Sequence, residues 1–127
     1  MISYLLVTNV LVFLLSAPSE LSEEAARVVR FEPDLYASMA SFWEIGIKQS
    51  LGKLRIGLTI PEIEEQCLAR DMRILPIRSA AIERLKQLPD VHRDPFDRIL
   101  VAQAQEEGLA IVTRDRTIPL YPVQTIW

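Results

Sequence analysis

The chain alternates short apolar runs, each of strand length, with segments whose apolar residues recur at helical spacing. The first run, SYLLV at residues 3–7, leads directly into VLVFLLS, a predicted helix with Asn9 as its N-cap. Ser41 and Glu44 have the spacing of a capping box and predict the start of another helix. The other predicted strands cover residues 35–38, 73–77, 109–113 and 122–126, and the other predicted helices cover 21–31, 59–72, 79–88 and 94–107.

This alternation predicts an α/β fold with a central, mainly parallel sheet of four to five strands, covered by helices on both faces. The 127 residues contain no internal repeat, low-complexity tract or Gly/Ser linker, so we expect a single domain over residues 1–127. In such sheets, ligands bind beyond the carboxyl ends of the strands, near the point where the strand order reverses. Candidate functional residues are therefore those that follow a predicted strand.

The composition is that of a globular protein and restricts its partners. Half of the residues are apolar, 24% are charged, and the formal net charge is −3. Such a chain has no overall positive field, so any contact with RNA or DNA needs a local basic patch. Residues 1–15 contain no Lys or Arg, which argues against a signal peptide, and their apolar run is too short to cross a bilayer. The lone Cys67 fits a reducing cytoplasm, and its place on an apolar helical face predicts inert packing.

Acidic residues follow several of the predicted strands. Glu44 lies soon after the second strand, Asp94 and Asp97 open a late helix, and Asp115 comes two residues after LAIVT. Carboxylate oxygens are preferred ligands of hard cations, so clustered Asp and Glu without Cys or His ligands indicate Mg²⁺ or Mn²⁺. Such ions promote phosphodiester hydrolysis by activating water and stabilising the leaving oxygen.

Each acid also has a local structural explanation. Glu44 either completes a capping box with the serine three residues before it or pairs with Lys48 one turn later. Asp94 is a candidate N-cap, and Asp97 adds favourable charge at the N-terminus of the same helix. Asp115 fits an ordinary turn. The positions of the acids by themselves leave both explanations open.

Four segments, taken together, resemble the signature blocks of PIN domains. In chain order they are YLLVTNVLVFLL, SFWEIGIKQSLGKL, HRDPFDRILVAQA and IVTRDRTIPLYPV, and they span nearly the whole chain. The chain resembles in particular the VapC-type toxins of type II toxin–antitoxin systems. This resemblance implies a PIN-like three-layer α/β/α sandwich and a metal-dependent endoribonuclease that uses Mg²⁺ or Mn²⁺.

The resemblance also assigns roles to individual residues. Glu44, Asp97 and Asp115 match three acids of the family's catalytic quartet and would ligate the metal. Asp94 matches a nearby auxiliary carboxylate. The polar residues that match those lining the family's site are Thr8, Asn9 and Thr113.

The position of the fourth acid is occupied by Val7. Family members read LLDTN where this chain reads LLVTN, so Val7 replaces the first catalytic Asp. Val and Asp have nearly the same branched shape, so we expect the fold to survive. The loss of one charge and two ligand oxygens should reduce activity by orders of magnitude. Natural degeneration and engineered inactivation are both consistent with this sequence.

The predicted function is therefore that of an endoribonuclease toxin impaired by Val7. The alternative is a catalytically dead PIN domain that acts as an antitoxin- or nucleic-acid-binding module. The resemblance implies an RNA substrate, a homodimer and a cognate antitoxin whose C-terminal segment lies across the active-site groove. Operator DNA would be bound only through the antitoxin complex, and no membrane is involved.

The sequence gives weaker indications of the roles of the other residues near the acids. Phe42 and Trp43, beside Glu44, are expected to pack in the core instead of stacking on a base. The only histidine, His92, precedes RDPFD and is expected in an exposed loop without a catalytic role. Several basic residues lie near the acid-bearing segments in the sequence and form either a local phosphate-binding rim or an ordinary solvated surface. These residues are Lys48, Lys53, Arg55, Arg93, Arg98, Arg114 and Arg116.

Overall fold

The computed structural model describes residues 1–91 and 93–127, so the prediction for His92 lies outside the described residues. The strands are β1 (Tyr4–Leu6), β2 (Leu35–Ser38), β3 (Arg73–Leu75), β4 (Ala110–Val112) and β5 (Thr125–Ile126). The helices are α1 (Thr8–Ser16), α2 (Glu23–Phe31), α3 (Met39–Ser50), α4 (Ile60–Ala69), α5 (Ser79–Leu85) and α6 (Pro95–Glu107), with 3₁₀ turns at Pro18–Glu20 and Ile118–Leu120. None of the helices in these described ranges has the length and apolarity that a membrane crossing requires.

The strands form one parallel sheet in the order β3–β2–β1–β4–β5, which confirms the predicted α/β class. Leu5 of β1 lies opposite Tyr36 of β2 on one side and Ile111 of β4 on the other. All residues of β1 and β4 are buried, so helices cover both faces of the sheet in a three-layer α/β/α sandwich. The chain builds outward from β1 to β3 and then returns to the other side of β1. The strand order therefore reverses between β1 and β4.

Helix boundaries follow the sequence where local capping chemistry decides them. Thr59 caps α4 in a reciprocal capping box with Glu62, and Gly108 ends α6 in the left-handed conformation, with φ of 67°. The predicted start of α1 is wrong, because the helix begins at Thr8 with Val7 as its N-cap, one residue after the end of β1. Asn9 therefore lies inside the first turn and is not the N-cap.

Helix α3 begins earlier than the spacing of Ser41 and its partner acid predicts. The hydroxyl of Ser38, at the end of β2, caps the helix by accepting a hydrogen bond from the amide of Ala40 at 3.0 Å. That hydroxyl also donates to Oε1 of Gln103 on α6 at 2.6 Å, and Nε2 of Gln103 donates to the carbonyl of Pro76 at 3.2 Å. The capping-box prediction is wrong because the chain enters α3 straight from the strand, with its cap fixed by this buried network.

Cys67 is buried on α4, as predicted, and this burial raises the pKa of its thiol to about 11. We expect the folded chain to resist iodoacetamide at about pH 8.5 and the denatured chain to react readily, because the thiolate is the nucleophile. The ordinary pKa of a cysteine thiol that is not buried is 9.0, and we expect this value in the unfolded chain. The stability contributed by the neutral thiol is therefore complete below pH 9 and falls as the pH rises towards 11.

Denaturant titrations over this pH range, with Cys67→Ala as the matched control, measure that fall. The control removes the titrating thiol, so it should show a shallower decline in the free energy of unfolding. Rapid labelling of the native chain, or identical declines for the two proteins, would contradict the prediction.

Candidate active site

A cleft of about 310 Å³ lies at the carboxyl ends of β1 and β4, where the strand order reverses. Val7 directly follows β1 and Thr113 directly follows β4, in agreement with the strand-end rule. We call this cavity the acidic cleft, and its lining residues are Val7, Thr8, Asn9, Val10, Glu44, Lys48, Asp94, Asp97, Thr113, Arg114, Asp115 and Ile118. The structure thus brings all the site residues predicted from the sequence into one cavity, although they come from four separate segments.

Glu44 lies one helical turn before Lys48 on α3, and its Oε2 is 2.8 Å from the Nζ of that lysine. The ion-pair explanation for Glu44 is therefore confirmed. The glutamate side chain is only 8% exposed, and its Oε1 is buried without a hydrogen-bond partner in the described ranges. The hydroxyl of Thr8 donates to Oγ of Ser41 at 3.0 Å, which fastens the start of α1 to α3. This contact fixes the acid-bearing helix against the end of β1.

Two acids come from the start of α6. The Oδ1 of Asp94 accepts hydrogen bonds from the amides of Phe96 at 2.8 Å and Asp97 at 3.4 Å, which confirms the predicted N-cap. Asp97 lies in the first helical turn, where its negative charge is favourable, and it also lines the acidic cleft. Capping and a place in the site are therefore compatible roles at this helix end.

Asp94→Ala is expected to lower the free energy of unfolding by about 1 kcal/mol, because the amides at the start of α6 lose their acceptor. Asp94→Asn keeps a side-chain oxygen acceptor and should cost much less. Urea denaturation of both variants checks the prediction. Equal losses would contradict the capping role and would indicate that the charge of Asp94 is what matters.

Asp115 follows β4 in a tight turn. Its amide donates to Oγ1 of Thr113 at 3.0 Å, and its Oδ1 accepts from the amide of Thr117 at 2.6 Å. The turn explanation is therefore confirmed, and Asp115 lines the acidic cleft as well. Thr113, which accepts the hydrogen bond from the amide of Asp115, is buried and also lines the cleft.

Val7 occupies the N-cap position of α1, with extended backbone angles of φ −69° and ψ 164°. Its side chain is nearly buried, with 5% exposure, and it lines the acidic cleft. Valine offers no acceptor for the first amides of the helix, whereas Asp is among the preferred N-cap residues. An aspartate here would both cap α1 and add a carboxylate to the cleft.

Among the basic candidates, Lys48 and Arg114 line the acidic cleft. Arg114 is turned towards α1, with its guanidinium 4.7 Å from the centre of the Phe13 ring, a contact that the sequence pattern does not reveal. Arg98 donates to the main-chain carbonyl oxygens of Pro89 at 2.9 Å and Leu85 at 3.2 Å. Arg98 therefore anchors α6 to the end of α5 and does not form part of the rim.

The prediction of core packing holds for Phe42 and is wrong for Trp43. Phe42 is buried, whereas Trp43 is 62% exposed. The ring of Trp43 meets that of Phe96 edge to face, with 5.2 Å between ring centres. This contact joins α3 to α6 beside the two acids that these helices carry.

Comparison with known families identifies the family to which this chain belongs. The family model of the PIN domain matches residues 4–122, a range that includes all four segments of the acidic cleft. The chain belongs to the PIN domain family. A comparison of this PIN domain with curated protein sequences finds no significant match.

Three similar solved structures cover nearly the whole length of this PIN domain. VapBC2 from Rickettsia felis, bound to a DNA fragment from its promoter, has a TM-score of 0.73 at 15% identity, covering 100% of this chain and 99% of that one. DNA-bound VapBC from Salmonella typhimurium has a TM-score of 0.70 at 19% identity, with coverages of 99% and 98%. A toxin–antitoxin complex from Klebsiella pneumoniae has a TM-score of 0.66 at 21% identity, with coverages of 98% and 97%. At such identities the likeness establishes the fold.

The acidic cleft of this PIN domain fits a hard divalent cation in its donor chemistry. The orphaned Oε1 of Glu44 needs a positive or hydrogen-bonding partner, and Asp97 and Asp115 supply further carboxylates. Across residues 1–91 and 93–127, no three Asp, Glu, His or Cys side chains stand close enough together to form a ready-made metal site. The donor types that line the cleft are therefore those that a hard cation prefers, and Val7 lies among them without a ligand oxygen.

Proposed function

We propose that residues 1–127 are a single PIN domain that serves as the endoribonuclease toxin of a type II toxin–antitoxin pair and is impaired by Val7. The observation that supports this most strongly is that Glu44, Asp97 and Asp115, from three separate segments, line one cleft at the reversal of strand order. Like charges drawn together repel one another in the absence of a cation. Their place in one cleft supports the binding of Mg²⁺ or Mn²⁺ there.

In this proposal, each polar residue that the sequence assigned to the site has a definite task. Glu44, Asp97 and Asp115 would hold the cation, which when bound would supply Lewis-acid chemistry for phosphodiester hydrolysis and would lower the pKa of a bound water. Asp94 holds the start of α6, so that Asp97 keeps its place. Thr113 does the same for the turn that carries Asp115. The remaining polar contributions come from Thr8, which fixes α1 to α3, and from Asn9 at the exposed edge of the cleft.

The proposed partners are a cognate antitoxin, an RNA substrate and a second copy of the chain. The similar structures include complexes named VapBC, a toxin–antitoxin complex and complexes with DNA, which supports an antitoxin for this chain and operator DNA bound only through it. We also propose that two copies of the chain form a homodimer and that the protein acts in the cytoplasm. Co-expression with the protein encoded beside it, followed by affinity purification, tests the antitoxin directly.

Cleavage of a mixed RNA pool tests the enzymatic part. We expect little or no cleavage by the Val7 chain, rapid cleavage by Val7→Asp with Mg²⁺ or Mn²⁺, and complete loss of that cleavage with EDTA. Cleavage that persists in EDTA would contradict a metal-dependent nuclease. Failure of Val7→Asp to cut any RNA would overturn the enzyme proposal.

Val7 also supports a second candidate function, a catalytically dead PIN domain that binds an antitoxin or nucleic acid. A buried, uncharged residue at the N-cap of α1 removes a ligand without leaving a gap in the core. On this alternative, RNA or the antitoxin binds equally well to the Val7 chain and to Val7→Asp, and neither protein cleaves RNA.

A further inference from the structure

The acidic cleft contains a cation of its own, the ammonium group of Lys48. Its Nζ lies 2.8 Å from Oε2 of Glu44, and the lysine side chain is 40% exposed while the glutamate side chain is 8% exposed. The pair runs from Glu to Lys across one helical turn, which is the favourable order for such pairs. One oxygen of a buried carboxylate is thus held by a lysine, and the other, Oε1, has no hydrogen-bond partner in the part of the chain that the structure describes.

The other positive side chain of the cleft is placed differently. The guanidinium group of Arg114 lies 4.7 Å from the centre of the Phe13 ring on α1. It also lies 3.8 Å from the carboxylate of Glu20 in the following 3₁₀ turn. Its charge is therefore directed to the region of α1 and the following 3₁₀ turn. Lys48, in contrast, pairs with a carboxylate that the proposed function assigns to the metal.

We propose that Lys48 is a positioning residue that acts as the resident counter-ion of the acidic cleft and competes with the divalent cation for Glu44. The inference rests on the proposed function, because it assigns the cation to this cleft. Without the cation, the ammonium group neutralises the buried carboxylate, whose charge would otherwise be uncompensated and costly. With the cation bound, two positive groups share one carboxylate, so the lysine weakens cation binding.

Replacement of Lys48 therefore has effects of opposite sign on the free and the cation-bound protein. Lys48→Met keeps most of the aliphatic stem and removes the charge, so the cation-free chain should melt at a lower temperature. The same change should tighten Mn²⁺ binding about tenfold, because a nearby positive charge is lost. Lys48→Arg keeps the charge, so its affinity for Mn²⁺ should stay within about threefold of that of the parent protein. An ordinary structural ion pair would lower the melting temperature without tightening Mn²⁺ binding.

The experiment measures free Mn²⁺ by electron paramagnetic resonance during titration of the full chain, and in parallel of the Val7→Asp chain, at fixed pH and ionic strength. Thermal melts with and without Mn²⁺ accompany each titration. Lys53→Met is the matched control, since it removes the same charge from an exposed residue that does not line the cleft. Lys48→Gln repeats the test with a different neutral side chain if Lys48→Met does not fold.

The proposal requires tighter Mn²⁺ binding in the neutral Lys48 variants and unchanged binding in Lys53→Met. It is overturned by unchanged or weaker Mn²⁺ binding in the neutral Lys48 variants, by equal tightening in Lys53→Met, or by an absence of Mn²⁺ binding in all the proteins. RNA cleavage is scored separately. Mn²⁺ binding that responds to Lys48 without any cleavage defeats the nuclease proposal alone, whereas metal-dependent cleavage with no response to Lys48 defeats this inference alone.

Discussion

Val7→Asp is expected to raise RNA cleavage by about a hundredfold or more and to destabilise the cation-free chain through its added charge. The new carboxylate lies in a nearly buried position in a cleft already lined by Glu44, Asp97 and Asp115. Like charges at such a site repel one another, and we expect a loss of about 1–3 kcal/mol in the free energy of unfolding at neutral pH. Saturating Mg²⁺ or Mn²⁺ should recover much of this loss, because a ligand that binds only the folded chain stabilises it by mass action.

Val7→Asn is the matched control for this prediction. Asn and Asp both cap helices, so either one should relieve the N-cap position that valine leaves without an acceptor. The difference between the two variants therefore isolates the effect of the charge. We expect Val7→Asn to be the more stable protein without cations, to gain little from Mn²⁺ and to cleave no RNA.

Denaturant titrations with and without Mn²⁺, together with cleavage of a mixed RNA pool, provide the measurements. Three results together would show that position 7 is not the missing ligand: equal stability of the Asp and Asn variants, no gain from Mn²⁺ and no cleavage by either. The binding-module function would then become the better account of the chain.

Removal of any one of the three remaining acids should abolish the activity that Val7→Asp restores. In the Val7→Asp chain, Glu44→Gln, Asp97→Asn and Asp115→Asn are each expected to slow cleavage by about a hundredfold or more. The amides keep the size of the acids and remove the charge that a cation requires. Asn at position 115 also keeps an oxygen acceptor for the amide of Thr117, so the turn should persist.

Asp94→Asn is the control within the same cleft, because Asp94 accepts hydrogen bonds from the amides at the start of α6 and Asn keeps an oxygen acceptor for them. We expect it to slow cleavage by less than about tenfold, as befits an auxiliary carboxylate. Initial cleavage rates over a range of Mn²⁺ concentrations separate weakened cation binding from a slower reaction at saturation. Should Asp94→Asn prove as damaging as Asp97→Asn, the division between cation ligands and auxiliary residues would be wrong.

The variants also test whether the acids act as one unit. If Asp97 and Asp115 hold the same cation, the double variant Asp97→Asn/Asp115→Asn should be little slower than either single variant. Fully additive losses would indicate independent roles. Far-UV circular dichroism and melting temperatures confirm that each comparison is between folded proteins.

The sequence by itself determined the fold class and the elements whose boundaries depend on local chemistry. Alternating apolar runs predicted a parallel α/β sheet, and the capping residues Thr59, Asp94 and Gly108 lie where their local signals place them. The resemblance of four segments to PIN domains also predicted, as site residues, all of the acids that line the cleft. Such predictions succeed because capping, turn geometry and hydrophobic periodicity depend on residues close together in the chain.

Only the tertiary structure decided how these parts meet. Ser38 is the cap of α3 because the helix follows directly from β2. Asn9 is not the cap of α1 because that helix begins one residue after β1, with Val7 at the N-cap. Trp43 is exposed because burial depends on which face of α3 packs against the rest of the fold. The return of the chain from β3 to β4 brings acids from three segments to one cleft. Strand order is a property of the whole sheet, so no local pattern of residues specifies it.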